Sequence, residues 1–179
     1  MKNTLPIIQI DEKKENPLRL ICLPVSPSEF GSVELLSLIS TMRTTLAQEE
    51  DGVALAAPQV AVNKQIFIIS PLAFKEEAVY TPLIFINPRI VKTDKKRVEM
   101  QEGCLSVRWI YGKTKRYTHV TIEASDEFGK HFIFGASGLI AHIFQHETDH
   151  LEGTLFIDHG YELEEYTEEE IKEANAKNK

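Results

Sequence analysis

Apolar residues recur along this chain with two different periods, and the periods divide it into elements. Leu35, Leu36, Ile39, Met42 and Leu46 return every three or four residues, which predicts a helix from about Ser32 to Glu50 with one buried face. A second helix is predicted over Gly138–Leu151, with Ser137 as its N-cap and Gly153 as its C-terminal stop. Between them, β-branched and aromatic residues predict strands at Gln65–Ser70, Leu83–Asn87, Arg89–Lys92, His119–Ser125 and His131–Phe134. Residues 126–130 read as the tight connection between the last two, and Asp51–Gln59 as a small-residue turn. Pro6, Pro17, Pro24 and Pro27 predict an extended lead-in over residues 1–31. After Ile157 the chain turns acidic, and Thr167-Glu168-Glu169-Glu170 has the form of a capping box opening a short helix.

The chain has 179 residues, 42% of them hydrophobic and 26% charged, as expected of one globular domain with a real core. Its net charge of −7 speaks against a nucleic-acid binder, which would show a basic face. The longest apolar runs fall short of a membrane span, and residues 1–6 have no signal-peptide pattern, so neither membrane insertion nor secretion is expected. Two cysteines, Cys22 and Cys104, make a disulfide framework implausible and a reducing compartment the default.

The chemistry concentrates in the second helix, at Gln145-His146-Glu147-Thr148-Asp149-His150-Leu151. Residues four apart share a helix face one turn apart, so two imidazoles can converge on one ion. Glu147, beside the first of them, can reach a water that the ion activates. A catalytic site of this kind usually takes a third protein ligand. His142 continues the series, but positions eight apart lie about 12 Å apart along a helix axis, too far for one ion to hold all three. It reads equally as a cleft-wall residue or a hydrogen-bonded half-buried histidine. The metalloprotease pattern HExxHxxGxxH fits through Gly153, then fails because Phe156 holds the last histidine position and His159 comes three residues late. Cys104, in Glu102-Gly103-Cys104-Leu105-Ser106, remains: a thiolate is a strong ligand, and Gly103 permits close backbone approach. Cys22 reads as a small buried hydrophobe.

Three segments together resemble the peptide deformylase family. They are Gly52-Val53-Ala54-Leu55-Ala56-Ala57-Pro58-Gln59, the EGCLS run Glu102–Ser106, and the QHExDHLxG run Gln145–Gly153, in the family's order and spacing. The resemblance implies an α+β fold of mostly antiparallel strands around a central metal-binding helix carrying HExxH. It implies a single catalytic domain over residues 1–160, with 161–179 as an acidic tail or short helix. The implied activity is hydrolysis of the N-formyl group from the formyl-methionine of newly made polypeptides, releasing formate. Cys104, His146 and His150 would hold one divalent ion, Fe2+ foremost, with Zn2+, Ni2+ or Co2+ able to substitute. Glu147 would be the general base, and the Gln59 amide and the Leu105 N–H would stabilise the developing oxyanion. The peptide would lie along Val53 and Ala54 as an added strand, its methionine in a pocket walled by Met100, Gly103, Leu139 and His142. Glu102, Asp149 and Arg116 are candidates for orienting the ligands or their loop. The expected partner is the nascent chain in a bacterial-type cytoplasm or an organelle with formylated initiation; the acidic tail leaves direct ribosome docking open.

The chain departs from the family pattern in three places. Ala54 replaces a glycine, Arg108-Trp109 follows Val107 where proline is common, and His142 replaces a commonly apolar pocket residue. None is a metal ligand, the base or an oxyanion donor, so they bear on substrate preference and efficiency. Two rival readings remain: an HExxH metalloprotease, against which EGCLS and Phe156 argue, and a non-catalytic deformylase-like protein that binds metal or formyl-peptide.

Overall fold

A computed structural model describes residues 4–11, 16–74 and 83–171. A five-stranded sheet has the order β1-β2-β3-β6-β7, and a three-stranded sheet the order β4-β5-β8. The strands are β1 Ala54–Ala56, β2 Ile66–Ile69, β3 Leu83–Thr93, β4 Arg97–Cys104, β5 Val107–Tyr117, β6 His119–Ser125, β7 His131–Ser137 and β8 Tyr161–Glu165. Their pairings are antiparallel. The two helices are α1, Val33–Leu46, and α2, Gly138–Leu151. The architecture is therefore mixed α and β with antiparallel sheets.

The β1–β2 end of the larger sheet is buried on both faces, and β2 shows how. Ile66 and Ile68 join Leu35, Ile39, Met42 and Leu46 of α1, while Phe67 and Ile69 join Ala141, Ile143 and Phe144 of α2. A period of two sends alternate side chains to opposite faces, so an unbroken apolar run suits a strand packed on both sides. Phe67 stacks on Phe85 at 4.7 Å between ring centroids, and Phe144 meets Phe85 edge-on at 5.2 Å. Such pairs add to simple burial.

The helix termini follow local chemistry. Ser32 caps α1 by accepting the Leu35 N–H at 3.2 Å. The helix ends at Leu46 rather than near Glu50; residues 47–52 continue as turns, with Gly52 N–H bonding back to Glu49. Ser137 stands at the N-cap of α2, but its side chain makes no capping hydrogen bond. Gly153 ends α2 at a φ of +74°, and a Cβ there would lie 2.8 Å from the Arg19 carbonyl oxygen, so glycine is required twice over.

Several elements differ from expectation. The small-residue turn contains β1. The two strands expected on either side of Pro88 form one, β3, because a bulge between Ile86 and Arg89 absorbs the proline. Asn87, at φ +50°, seals that bulge by bonding Val25 N–H and C=O with its side chain, both at 2.8 Å. Strands β4 and β5 lie where none was predicted, since their inward positions are polar: Glu102, Thr114 and Arg116 are all buried. The segment expected as an acidic tail begins as the edge strand β8, which pairs with β5. Beyond it, a helix starts at Glu168, and Thr167 and Glu170 exchange the capping-box hydrogen bonds (2.7 Å and 3.3 Å). Residues 172–179 lie outside the described residues.

Candidate active site

Helix α2 has two unlike sides. One carries the aromatic and aliphatic residues packed on the five-stranded sheet. The other turns His142 and His146 toward Glu102, near the end of β4. The hairpin joining β4 to β5 brings Cys104 against the helix, with Sγ 3.2 Å from His150 Nε2. Donor atoms of Cys104, His146 and His150 lie within 4.8 Å of one another. His146 commits Nδ1 to Glu102 Oε1 at 2.5 Å, leaving Nε2 for the cluster.

This donor set fits a divalent ion. It combines one thiol and two imidazoles, groups that bind such ions on losing their protons. Beside it, Glu147 is buried, and its Oε2 has no hydrogen-bond partner among the described residues. Burial raises the Glu147 pKa to about 7, only partly opposed by His146. That places a carboxylate near the neutral range, where a general base works best. Burial, then the neighbouring His146, pushes His150 well below its ordinary value, which favours the neutral ring that a metal needs. Burial also disfavours charge on His146, but hydrogen bonds with Cys104 and Glu102 outweigh it and raise that pKa.

Glu102 is the anchor of the polar side. Its Oε1 accepts from His146 and from Arg116 at 2.8 Å; its Oε2 accepts from His142 at 2.7 Å, from Arg116 Nε at 3.3 Å and from Thr114. Despite burial, these bonds hold its carboxyl well below the usual range. Arg116 reaches on to Asp149 at 2.6 Å. The three residues named from sequence as possible orienting groups thus form one chain, Asp149–Arg116–Glu102, ending on His146.

Gln59 comes from the turn after β1 and is buried. Its Oε1 accepts the Ala56 N–H at 2.8 Å, and since that N–H can only donate, the amide NH2 must point the other way. It lies 3.2 Å from Ser106 Oγ and 3.6 Å from Cys104 Sγ.

A cleft of about 390 Å³ opens over this cluster. Val53, Ala54, Gln59, Met100, Gly103, Cys104, Leu105, Leu139, His142, His146 and Glu147 all line it, so these sequence-selected residues converge on one space. His150 sits behind them, 1% exposed. Gly103 leaves room for the Tyr111 ring of the neighbouring strand, which a Cβ there would meet at 2.7 Å and force to shift. Ala54 has no positive φ, so replacing glycine there carries no backbone strain. Strand β1 forms an edge of its sheet among the described residues. Arg108 pairs with Glu49 and Asp51 across one end of the cleft, and Trp109 takes a φ of +65°, unusual for a large side chain. His142 lines the cleft and hydrogen-bonds Glu102, buried rather than half-buried.

Sequence reasoning missed Ser106, Thr114 and Tyr111. Ser106 lay inside EGCLS and could have been found there. Thr114 and Tyr111 lay in a stretch with no predicted strand, so their facing could not be read.

Fold and cluster together define a class: an α-and-β enzyme whose cleft ends on a cysteine–histidine–histidine set able to hold a metal ion. Residues 4–166 match the family model described as polypeptide deformylase. The chain is 41% identical over 152 residues to a peptide deformylase of Hahella chejuensis, covering 85% of this chain and 86% of that one. It is likewise 41% identical over 155 residues to one from Halothermothrix orenii, with coverages of 86% and 94%. Among solved structures, the Met-Ala-Ser-bound class I type b peptide deformylase of Acinetobacter baumannii superposes with a TM-score of 0.78 at 31% identity, covering 88% of this chain and 99% of that one. A peptide deformylase from Legionella pneumophila gives 0.76 at 32%, with coverages of 97% and 92%. The chain belongs to the polypeptide deformylase family.

Proposed function

We propose that the protein removes the N-formyl group from the N-terminal formyl-methionine of newly made polypeptides, releasing formate in a metal-dependent hydrolysis. The observation that carries this is the convergence of Cys104, His146 and His150 beside a buried carboxylate with an unpaired oxygen. These three residues would hold the ion, with α2 as the central metal-bearing helix of a catalytic domain spanning residues 1–160. Bound there, a divalent ion supplies Lewis acidity, polarising the formyl oxygen and making water easier to deprotonate. Fe2+ is the proposed ion, with Zn2+, Ni2+ or Co2+ as substitutes.

The remaining work falls to the chain's own groups. Glu147 takes a proton from the attacking water. Water oxygen bonds to the formyl carbon, the carbon–nitrogen bond breaks, and Glu147 returns the proton to the departing amine. Gln59 Nε2 and the Leu105 N–H donate to the formyl oxygen as its charge grows, favouring the transition state over the ground state. The peptide pairs with the open edge at Val53 and Ala54, and the methionine side chain enters between Met100, Gly103, Leu139 and His142. The substrate class agrees with the Met-Ala-Ser ligand of the Acinetobacter baumannii structure. No helix among the described residues is long and apolar enough to cross a membrane. The proposed setting is a bacterial-type cytoplasm or an organelle that initiates with formyl-methionine.

The test is formate release from formyl-Met-Ala-Ser by protein purified without oxygen and supplied with Fe2+ or Ni2+. Turnover by the wild type, lost in Glu147→Ala, supports the reading. Cleavage of internal peptide bonds without formate release would overturn it.

A further inference from the structure

We infer that His142 is a positioning residue for metal binding: it fixes the carboxylate that holds the ligand histidine His146. This rests on the proposed metal site and adds to it a residue outside the donor set.

The geometry is specific. His142 and His146 stand one turn apart on the same face of α2, and each reaches a different oxygen of Glu102: Oε2 at 2.7 Å from His142 and Oε1 at 2.5 Å from His146. Arg116 donates to both oxygens from β5, through Nε at 3.3 Å and through its second nitrogen at 2.8 Å. Thr114 donates to Oε2. Thus Oε1 is held by one imidazole and one guanidinium nitrogen, and Oε2 by the other imidazole, the guanidinium and a hydroxyl. His142 is the only one of these donors on α2 other than the ligand histidine itself. It therefore ties the carboxylate to the helix that carries His146 and His150, while Arg116 and Thr114 tie it to the sheet that carries Cys104. The ligands come from these two elements, and their spacing is set where the elements are cross-linked.

Packing alone does not account for this residue. His142 lines the cleft beside Met100, Leu139 and Ile143, where an aliphatic side chain would fit the apolar wall. A buried imidazole there carries a desolvation cost unless its N–H is matched, and Glu102 matches it. Partners that orient a metal-binding histidine typically govern metal affinity by 10–100-fold. Acting one bond further out, His142 should contribute at about the lower end of that range, near tenfold.

The test compares His142→Gln with His142→Met, side chains of similar length of which only the first offers an N–H. Wild type and variants are stripped of metal and titrated with Co2+, reading both affinity and the visible absorption of the cobalt site. Thermal unfolding of the metal-free forms runs alongside. The expected result is a Co2+ dissociation constant raised about tenfold in His142→Met with an altered visible spectrum. His142→Gln should recover most of both, and metal-free unfolding temperatures should be similar. Should that variant fail to fold, His142→Ala serves as the donor-less member. Wild-type affinity and spectrum in the donor-less variant would overturn the inference, as would equal losses in the Gln and donor-less variants. Wild-type protein that binds no Co2+ would instead overturn the metal reading on which the inference rests.

Discussion

The two sheets bury their inner faces by opposite means. The five-stranded sheet offers α2 a dry surface, on which Phe144 of the helix meets Phe67 and Phe85 ring to ring. The three-stranded sheet offers the same helix Glu102, Thr114 and Arg116, each buried and each bonded. The dry side draws stability from area and shape, with little demand on geometry at any one atom. The polar side contributes less net stability, because desolvation offsets much of the pairing, but it fixes atoms in place. Helix α2 thus stands on one sheet and is aimed by the other.

That division can be broken most visibly at Glu147. Glu147→Ala should lower kcat by about 10²–10⁴. Its thermal midpoint should hold or rise, since the substitution removes a buried carboxylate oxygen without a partner. Steady-state kinetics beside calorimetry check both parts. The opposite pattern belongs to the dry side. Phe144→Ala should cost about 3–5 kcal/mol of stability while activity per folded molecule stays near wild type. Urea unfolding, with active-site titration of the folded fraction, separates the two effects.

Glu102→Gln sharpens the comparison, because it keeps the size of a buried residue and alters its bonding. Metal affinity should fall about 10–100-fold, read by competition with a chelating dye. If affinity is retained, the polar side is not an aiming device. The smallest effect concerns Cys22, whose thiol burial among apolar neighbours pushes up to about 11 from 9.0. The folded state therefore keeps a proton that the unfolded chain loses first. Below pH 9 this group contributes no pH dependence; between about 9 and 11 it makes stability fall as pH rises. Cys22→Ala should flatten that limb of an unfolding series, and native Cys22 should resist alkylation at pH 8.

How much of this could be read in the sequence follows the same division. Helix α1, helix α2, β2 and β6 were legible because apolar side chains reported their periods directly. Strands β4 and β5 were not, because burial there falls on Glu102, Thr114 and Arg116, and charged residues ordinarily signal solvent. The edge strand β8 hid for a related reason, reading as acidic and solvated until its pairing with β5 was seen. In the candidate site, Cys104, His146, Glu147 and His150 stood out by residue type and spacing. The hydrogen bond between His142 and Glu102 did not, since nothing local links that histidine to a carboxylate 40 residues earlier.

The most direct test of the account is a titration of metal-free protein with Fe2+ under anaerobic conditions, following formate release from formyl-Met-Ala-Ser. Activity should climb in proportion to added metal and level off at about one ion per chain, and Cys104→Ala should abolish the rise. Formate release by protein that stays metal-free in the presence of a chelator would contradict it.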